Sequence, residues 1–395
     1  MNQVKSSRIQ SIDILRGLVM VIMALDHVRD YFHINAFVGN YPENLESTNM
    51  VLFGTRFITH YCAPVFVFLA GTSAFLYGQG KTKGELSKFL ITRGLWLVFV
   101  EIVINNFLWW FDVGFGFINL QVIWAIGICM IVLGLLIHLP KRVLLVLGLL
   151  IVFGHNALDG ITKEGSSFGS IVWYFLHQSN GIGIGESRYL WFSYPVLPWI
   201  GTMVLGYCLG EFYKKGANAE LRNQWLVRIG LVAIALFFVF RGFNFYADLA
   251  PWEEQATLEK TIISFFNLTK YPPSLSFLLI TLGPALLFLR FIEPVKNWIT
   301  DKLLVFGRVP FFYYILHIFV IHVTAIIGLL ITGKDWKLMI LDNETMGSGA
   351  LRGYGYSLLT VYLVWLGIVI LLYPICKKYM KYKANNRDKK WLSYL

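Results

Sequence analysis

Blocks of roughly twenty hydrophobic residues, separated by shorter polar stretches, recur along the whole chain. Helices of this length can cross the hydrocarbon core of a bilayer, which is about 30 Å thick. Ten such segments are predicted, at about 12–32, 57–78, 90–111, 119–138, 143–158, 194–213, 227–245, 273–291, 303–331 and 357–376. An apolar segment at 168–178 predicts a shorter re-entrant or interfacial helix. The pattern therefore predicts an all-α fold, a polytopic integral membrane helix bundle.

The composition indicates the same class of protein. Of the 395 residues, 56% are hydrophobic and only 14% are charged, whereas a soluble domain of this size exposes far more charge. No low-complexity linker divides the chain, so we predict one transmembrane domain over 1–384 and a short basic cytoplasmic tail over 385–395. The first apolar segment carries charges and lacks an A-x-A-like cleavage site, which predicts a permanent span rather than a signal peptide.

The positions of lysine and arginine predict the orientation of the segments. With the N-terminus in the cytoplasm, the basic residues of the loops and of the C-terminal run fall on that side: Lys5, Arg8, Lys81, Lys83, Lys88, Arg93, Lys141, Arg142, Lys214, Lys215, Arg222, Arg228, Arg290, Lys296, Lys302, Lys377, Lys378, Lys381, Lys383, Arg387, Lys389 and Lys390. The opposite loops are richer in acidic residues, such as Glu43, Glu164 and Glu253. This distribution follows the positive-inside rule with both termini in the cytoplasm. Contact with anionic lipid accounts for the net charge of +11, so no nucleic-acid partner is predicted.

The cysteines, histidines and glycine-rich stretches predict neither a metal site nor a phosphate loop. The four cysteines lie within or at the edge of apolar segments and form no CxxC pair, so no disulfide is predicted. The histidines are scattered and lack the spacing of metal ligands. The glycine-rich stretches around 181–187 and 347–357 do not lead from a strand into a helix, so we predict flexible outer loops.

The first apolar segment contains the ionisable residues Asp13, Arg16, Asp26 and His27. Each such group costs about 2.5–3.5 kcal/mol at membrane depth on insertion scales, so their presence suggests a function. Arg16 and His27 are eleven residues apart, which places them on one helical face, roughly 16 Å apart along the axis. We predict Arg16 near the inner end of the segment and His27 near the outer end.

The histidines of the first two segments are candidate catalytic residues. His27, held by Asp26, could act as a general base at neutral pH, or it could only bond another helix. His60 lies at the outer end of the second segment, and we expect it to face His27 because consecutive antiparallel spans pack together. His33, on the loop side of the first segment, is a weaker candidate for acceptor binding.

Three arginines are predicted at similar depth on the inner side, namely Arg16, Arg93 and Arg308. Together they would form an anion site, and a guanidinium group suits a phosphate. Each also has a structural interpretation, since Arg16 can pair with Asp13 and long basic side chains reach toward the membrane surface. In the ninth segment, Tyr313 and His317 lie on one face, where they form either a buried bonded pair or a proton relay and acceptor contact.

The residues above belong to segments that resemble a known family: RIQSIDILRGLVMVIMALDH, RFITHYCAPVFVFLAGTSAFL, SYPVLPWIGTMVLGYCLG, KYPPSLSFLLITLGPALL, FGRVPFFYYILHIFVIH and the closing WLSYL. They resemble the bacterial membrane proteins related to heparan-alpha-glucosaminide N-acetyltransferase over essentially the whole chain. The spacing of Arg16 and His27 is also similar to that of the transmembrane acyltransferase superfamily, which O-acylates bacterial glycans. The resemblance implies transfer from cytosolic acetyl-CoA or another acyl-CoA to a glycan or other acceptor outside, without a metal.

The resemblance also implies roles for individual residues. In the glycan O-acyltransferases the arginine and histidine of this spacing are functional, which implies roles for Arg16 and His27. In the heparan enzyme an asparagine looks equivalent to His27, and the catalytic histidine lies in the following loop, for which His33 and His60 are the nearest candidates. CoA phosphates would meet the three arginines, and the thioester would approach His27. Direct attack by the acceptor and an acyl-histidine intermediate both stay open.

Two other functional classes stay open at this point. A transporter or flippase for a sugar, lipid or small anion would use Arg16, His27 and His317 as proton or substrate sites. A structural or sensory scaffold would tolerate substitution of its intramembrane charges. In each case we predict a multi-pass protein of the bacterial inner membrane, whose partners are membrane lipids and a glycan or small-molecule acceptor. Homo-oligomer formation is left open.

Overall fold

The computed structural model describes residues 9–37, 41–386 and 388–393, which are mostly helical. The helices are α1 (Gln10–Phe32), α2 (Met50–Thr59), α3 (Cys62–Tyr77), α4 (Lys83–Phe99), α5 (Asn106–Trp110), α6 (Val122–Leu136), α7 (Lys141–Gly154), α8 (Phe168–Leu176), α9 (Leu197–Leu209), α10 (Ala219–Phe243), α11 (Leu258–Phe266), α12 (Leu275–Ile292), α13 (Trp298–Arg308), α14 (Pro310–Ile331), α15 (Asn343–Ser348) and α16 (Leu358–Asn385). The strands are β1 (Phe117–Leu120), β2 (Asn180–Ile184) and β3 (Arg188–Phe192). Lys5, Arg8 and Arg387, used above to predict orientation, lie outside the described residues.

Local sequence signals set where several helices begin. The side chain of Thr82 accepts a hydrogen bond from the Glu85 amide and Glu85 reaches back, which forms a capping box before α4. Ser274 and Ser357 are the N-caps of α12 and α16. The side chain of each accepts a hydrogen bond from the backbone amide three residues later. Pro310 occupies the first position of α14, where its missing amide hydrogen costs nothing.

The predicted helical character of the apolar segments is confirmed, and six helical segments of the described chain are long and apolar enough to cross a membrane. They are Met50–Tyr77, Lys141–Leu158, Ala219–Phe243, Leu275–Ile292, Pro310–Ile331 and Leu358–Asn385. Helix α6 is apolar but shorter. Helix α1 has the necessary length but carries five charged residues, Asp13, Arg16, Asp26, Arg29 and Asp30.

Three of the predicted continuous segments are interrupted. The segment predicted at 303–331 is two helices, since α13 ends at Arg308 and α14 begins at Pro310. The second segment breaks at His60 and Tyr61, between α2 and α3. A π-helical turn at Val100–Asn105 separates α4 from α5. Such interruptions change the side of the helix on which later residues lie. A continuous helical period therefore does not predict the orientation of the residues after the break.

A small sheet accompanies the helices, which the all-α prediction did not include. Strand β3 is central and pairs in parallel with β1 and antiparallel with β2. The stretch around 181–187, predicted as a flexible loop, contributes β2 instead. Glycine alternates with isoleucine there, and Gly181 lies opposite Trp191, so the small residues leave room for the aromatic side chains of β3. The apolar segment predicted at 168–178 is helical, as α8.

Helix α1 lies in the centre of the bundle and packs against α2, α3, α12, α13, α14 and α16. Its contact with α13 is close because glycines face each other there. A Cβ atom on Gly17 would lie 1.9 Å from the Leu303 carbonyl oxygen, and one on Gly307 would lie 1.8 Å from that of Asp13. Gly71 and Gly206 bring α3 and α9 equally close. Small residues allow this packing where lipid provides no hydrophobic driving force between helices.

The close approach of α1 and α13 predicts that Gly307→Ala destabilises the protein. The added methyl group must push the two helices apart, and overpacking of this kind costs about 1–3 kcal/mol. The thermal midpoint of the purified protein in detergent should fall by several degrees. Gly367→Ala in α16 is the matched control, because a Cβ atom there meets no heavy atom within 4 Å. Equal midpoints for the two variants would contradict the assigned packing.

Candidate active site

A cavity of about 410 Å³ lies between α1, α3, α4, α6 and α14. Its walls are mostly apolar and include methionine, phenylalanine, leucine and isoleucine side chains. Volumes of 300–1,000 Å³ with apolar walls and a few polar groups are typical of sites for small molecules and cofactors. The polar contribution comes mainly from four basic side chains: Arg16, Arg93, Arg308 and Lys383.

The three arginines that the sequence placed at similar depth line this one cavity. Arg16 is held in place by hydrogen bonds to described neighbours: its guanidinium donates to Ser73 Oγ at 2.7 Å, to Asp13 Oδ1 at 3.2 Å and to the Gly307 carbonyl oxygen at 3.3 Å. Arg308 Nε lies 3.8 Å from the other carboxylate oxygen of Asp13. Asp13 therefore sets the positions of two arginines, and the close packing of α1 and α13 brings them together.

His27 forms a hydrogen-bonded pair with His317 of α14. His27 Nδ1 lies 2.8 Å from His317 Nε2, and His317 Nδ1 lies 2.9 Å from the carbonyl oxygen of Tyr313. A carbonyl oxygen only accepts, so His317 Nδ1 carries a hydrogen, and in a neutral ring its Nε2 is then an acceptor. His27 Nδ1 must donate to it. In a neutral His27 ring, the Nε2 atom consequently carries the lone pair and is the basic nitrogen.

Aromatic rings enclose this histidine pair. The ring of Trp109 meets His27 edge-on, with centroids 4.8 Å apart, and the ring of Tyr313 stacks on His317 at 5.0 Å. His317 is fully buried, whereas His27 is half-buried. Tyr314 lies 6.2 Å from His27 between ring centroids and also lines the cavity. The surroundings hold the His317 ring in one orientation and leave part of His27 accessible.

One face of α1 connects the basic groups with the histidine pair. Arg16, Met20 and Met23 line the cavity, and His27 follows Met23 by one helical turn. The predicted separation of Arg16 and His27 along one helical face therefore holds within an unbroken helix. The cavity reaches Met23 and Tyr314, which are both neighbours of His27.

Asp26 lies in a buried ionic cluster rather than against the His27 ring. Its carboxylate accepts hydrogen bonds from Arg56 at 2.8 and 3.1 Å and from Thr59 at 2.9 Å, and it forms an ion pair with Arg29 at 2.7 Å. Arg56 also donates to Glu43 at 2.6 Å. Burial raises the pKa of the Glu43 carboxyl, but the charges of Arg56 and Arg29 lower it by more, so it lies below its ordinary value.

His60 and His33 lie apart from the histidine pair. The predicted contact between His60 and His27 is not among the contacts of the described residues: the helix breaks at His60, and its buried ring contacts Phe57 and Phe277. His33 follows the end of α1 and forms an isolated β-bridge with Tyr356. Tyr313 and His317 do contact each other, through stacked rings and through the Tyr313 carbonyl group.

The sequence interpretation missed several residues of this region. Lys383, near the end of α16, lines the cavity. In the sequence, its basic run indicated only the cytoplasmic side of the membrane. Ser73 holds Arg16, and Tyr314 joins the cavity to the histidine pair. The partnership of His27 and His317 was also missed. No local signal relates these two residues, because they are 290 positions apart in the chain.

The sequence profile of the family described as "Heparan-alpha-glucosaminide N-acetyltransferase, catalytic" matches residues 8–252. The match covers more than half of the chain, so the protein belongs to this family of transmembrane acetyltransferases. The matched range includes Arg16, His27 and Arg93, and it ends before α12. None of the proteins with a curated description matches the chain.

The ionic cluster predicts that Asp26→Ala is strongly destabilising. The change leaves Arg29 and Arg56 buried without their shared carboxylate, and breaking a buried ion pair costs about 3–5 kcal/mol. Thermal unfolding in detergent should show a large drop in midpoint, whereas Glu186→Gln, at an exposed carboxylate, should leave it unchanged. A stable Asp26→Ala protein that has lost only its activity would instead indicate a direct catalytic role for this carboxylate.

Proposed function

We propose that the protein is an acyl-CoA-dependent transmembrane acyltransferase that moves an acetyl or related acyl group to a glycan or other acceptor. Membership of the family supports transferase chemistry. The observation that carries the proposal is a single cavity lined by four basic side chains and reaching the neighbours of a histidine with a basic nitrogen. The donor would occupy the cavity, and the acceptor would approach His27 from the other end of α1.

The cavity has the chemistry that an acyl-CoA needs. Arg16, Arg93, Arg308 and Lys383 would bind the phosphates, since guanidinium and ammonium groups form strong charge-assisted bonds to phosphate oxygens. Tyr77 and Phe89, stacked with centroids 3.8 Å apart, offer a flat apolar surface for the adenine base. The apolar wall beside Met20 and Met23 would hold the pantetheine arm and direct its thioester toward His27.

The histidine pair would supply the proton transfers. His27 Nε2 takes the proton of an acceptor hydroxyl or amine while the acceptor atom bonds to the acyl carbon. The carbon–sulfur bond then breaks, and the CoA sulfur leaves with the proton from His27. His317 orients the ring throughout by accepting from His27 Nδ1, as the partner of a general base does in a catalytic triad. In a two-step route, the same nitrogen would attack the thioester carbon and the carbon–sulfur bond would break to release the CoA thiolate. The acceptor would then attack the acyl-histidine, lose its proton and free the nitrogen.

In this proposal, the end with the four basic residues faces the cytoplasm, where CoA is available. The ten predicted segments correspond to α1, α2 with α3, α4 with α5, α6, α7, α9, α10, α12, α13 with α14, and α16. Ten crossings put both termini in the cytoplasm of a bacterium whose inner membrane holds the protein. The single domain over 1–384 then contains Lys383 at its end. Membrane lipid and an outer glycan or small molecule are the proposed partners.

His27→Ala should abolish acyl transfer by the purified protein. Without the basic Nε2 atom the acceptor is not deprotonated, and loss of general-base catalysis typically costs a factor of 10²–10⁴. The measurement is transfer of label from radiolabelled acetyl-CoA to a glycan extract, with self-labelling measured in parallel without acceptor. Self-labelling of the unchanged protein that is absent in the His27→Ala variant would indicate the acyl-histidine route.

Two further variants make this test specific to the histidine pair. His317→Ala removes the acceptor for His27 Nδ1 and should reduce the rate while acetyl-CoA binding persists. His138→Ala, at an exposed histidine, should have no effect. Full transfer by His27→Ala would remove this residue from the mechanism, and uptake of a solute without acyl-CoA would favour the transporter alternative.

Arg93→Gln should raise the KM for acetyl-CoA more than it lowers kcat. Hydrogen bonds to charged groups contribute about 1.5–3 kcal/mol, which corresponds to a rise of roughly ten- to hundredfold. The difference in KM between the variant and the unchanged protein should become smaller at high salt. Salt screens the attraction between Arg93 and phosphate in the unchanged protein, so less is lost when Arg93 is replaced. Arg142→Gln, at an exposed arginine outside the cavity, is the matched control. An unchanged KM in Arg93→Gln would contradict phosphate binding at this residue.

A further inference from the structure

A second group of ionisable residues lies outside the cavity, where α7 and α8 end. His155 begins a 3₁₀ turn directly after α7, Asp159 follows that turn, and His177 is the residue after α8. One side-chain nitrogen or oxygen atom from each lies within 4.8 Å of the other two. His177 Nε2 is 3.1 Å from Asp159 Oδ1, and the ring centroids of the histidines are 5.4 Å apart.

Three of the four ring nitrogens in this group have no hydrogen-bond partner among the described residues. Both nitrogens of His155 are buried and form no hydrogen bond with any described residue, and the same holds for His177 Nδ1. His155 is 2% exposed and His177 is 3% exposed. A neutral imidazole contains a donor and an acceptor, and burial of either without a partner costs free energy. Native structures rarely keep such atoms without a partner, and an ion, a ligand or an ordered water molecule usually satisfies them.

We propose that His155, Asp159 and His177 bind a divalent transition-metal ion, with Zn²⁺ as the expected occupant. Two imidazole nitrogens and one carboxylate oxygen are ligands that zinc prefers, and a water molecule would complete a tetrahedron. Calcium and magnesium prefer oxygen ligands and do not suit two histidines. This site was not assigned from the sequence, and it replaces the prediction that the protein contains no metal.

The surrounding structure suits such a site. Asn156 donates from its side chain to Asp159 Oδ2 at 2.7 Å, which orients the carboxylate as the second shell of a metal site does. Ligand atoms of a tetrahedral zinc ion lie roughly 3.4 Å from one another when the bonds to zinc are about 2.1 Å long. The three ligand atoms here lie within 4.8 Å of one another, so they would move closer together on binding. Rotation of the His155 ring provides this contraction without breaking a hydrogen bond to any described residue.

The role of the ion would be structural. It would join the end of α7 to the end of α8, and so close the segment 160–176 that contains α8. Asn156 also accepts a hydrogen bond from the Leu275 amide at 2.9 Å, and the Phe175 carbonyl accepts from the Val196 amide at 2.9 Å. The site would therefore tie α7 and α8 to the beginnings of α12 and α9. None of its three residues lines the cavity, so the inference does not depend on the proposed transferase function.

The test measures metal binding by the full-length protein without an affinity tag. Protein treated with a chelator should take up one equivalent of Zn²⁺, measured by elemental analysis after desalting, and its thermal midpoint should rise by several degrees. His155→Ala and His177→Ala should each weaken binding at least tenfold and remove the rise in midpoint. His138→Ala, at an exposed histidine, should bind zinc as the unchanged protein does.

Cobalt gives a readout that needs no variant, in case a substitution prevents folding. Co²⁺ added to the chelator-treated protein should produce the intense visible bands of a tetrahedral site, and Zn²⁺ should displace them. Failure to bind one equivalent of either ion would overturn the inference. Binding that is unchanged in both histidine variants would overturn it as well, because the ion would then lie elsewhere.

Discussion

Buried charged and polar groups must find partners within the bundle, and this constraint fixes the position of α1. Asp13 binds Arg308 at the end of α13, Asp26 binds Arg56 of α2, and His27 binds His317 of α14. Asp13 lies near the beginning of α1, whereas Asp26 and His27 are adjacent near its end and point roughly 100° apart, so the three contacts together restrict the rotation of the helix. An unpaired charge in an apolar interior costs several kcal/mol, which makes other rotations unfavourable.

The candidate active site is a consequence of that arrangement. Since Asp13 and Asp26 contact neighbouring helices, the face with Arg16, Met20 and Met23 is left to line the cavity. Close glycine contacts bring α13 near enough for Arg308 to share Asp13 with Arg16. Arg16 and His27 are both on α1, and their partners Arg308 and His317 reach them from α13 and α14. The unbroken helix therefore fixes the distance between the Arg16 guanidinium and the His27 ring, which the proposed transfer from an extended donor would require.

The histidines of the chain differ in how their nitrogens are satisfied. His27 directs one nitrogen to His317 and keeps the other as a base in a half-buried position, which suits catalysis. His155 has no partner for either nitrogen in the described structure although it is fully buried, which suits a metal ligand. His60 is also buried without a hydrogen bond to any described residue, but its ring contacts are with Phe57 and Phe277, and it belongs to no group of described residues that could hold a metal ion. The neighbours of each ring, rather than its burial alone, therefore separate these roles.

Hydrophobic periodicity by itself determined the apolar helices and placed Arg16 and His27 on one face, because both depend only on local helical geometry. The resemblance to the family could also be read from the sequence, and the family match confirms it. Tertiary structure decided that His27 pairs with His317 rather than with Asp26 or His60, and that Lys383 joins the cavity. It also decided the sheet and the helix break near His60. These features depend on contacts between distant parts of the chain and on local distortions, and neither leaves a periodic signal in the sequence.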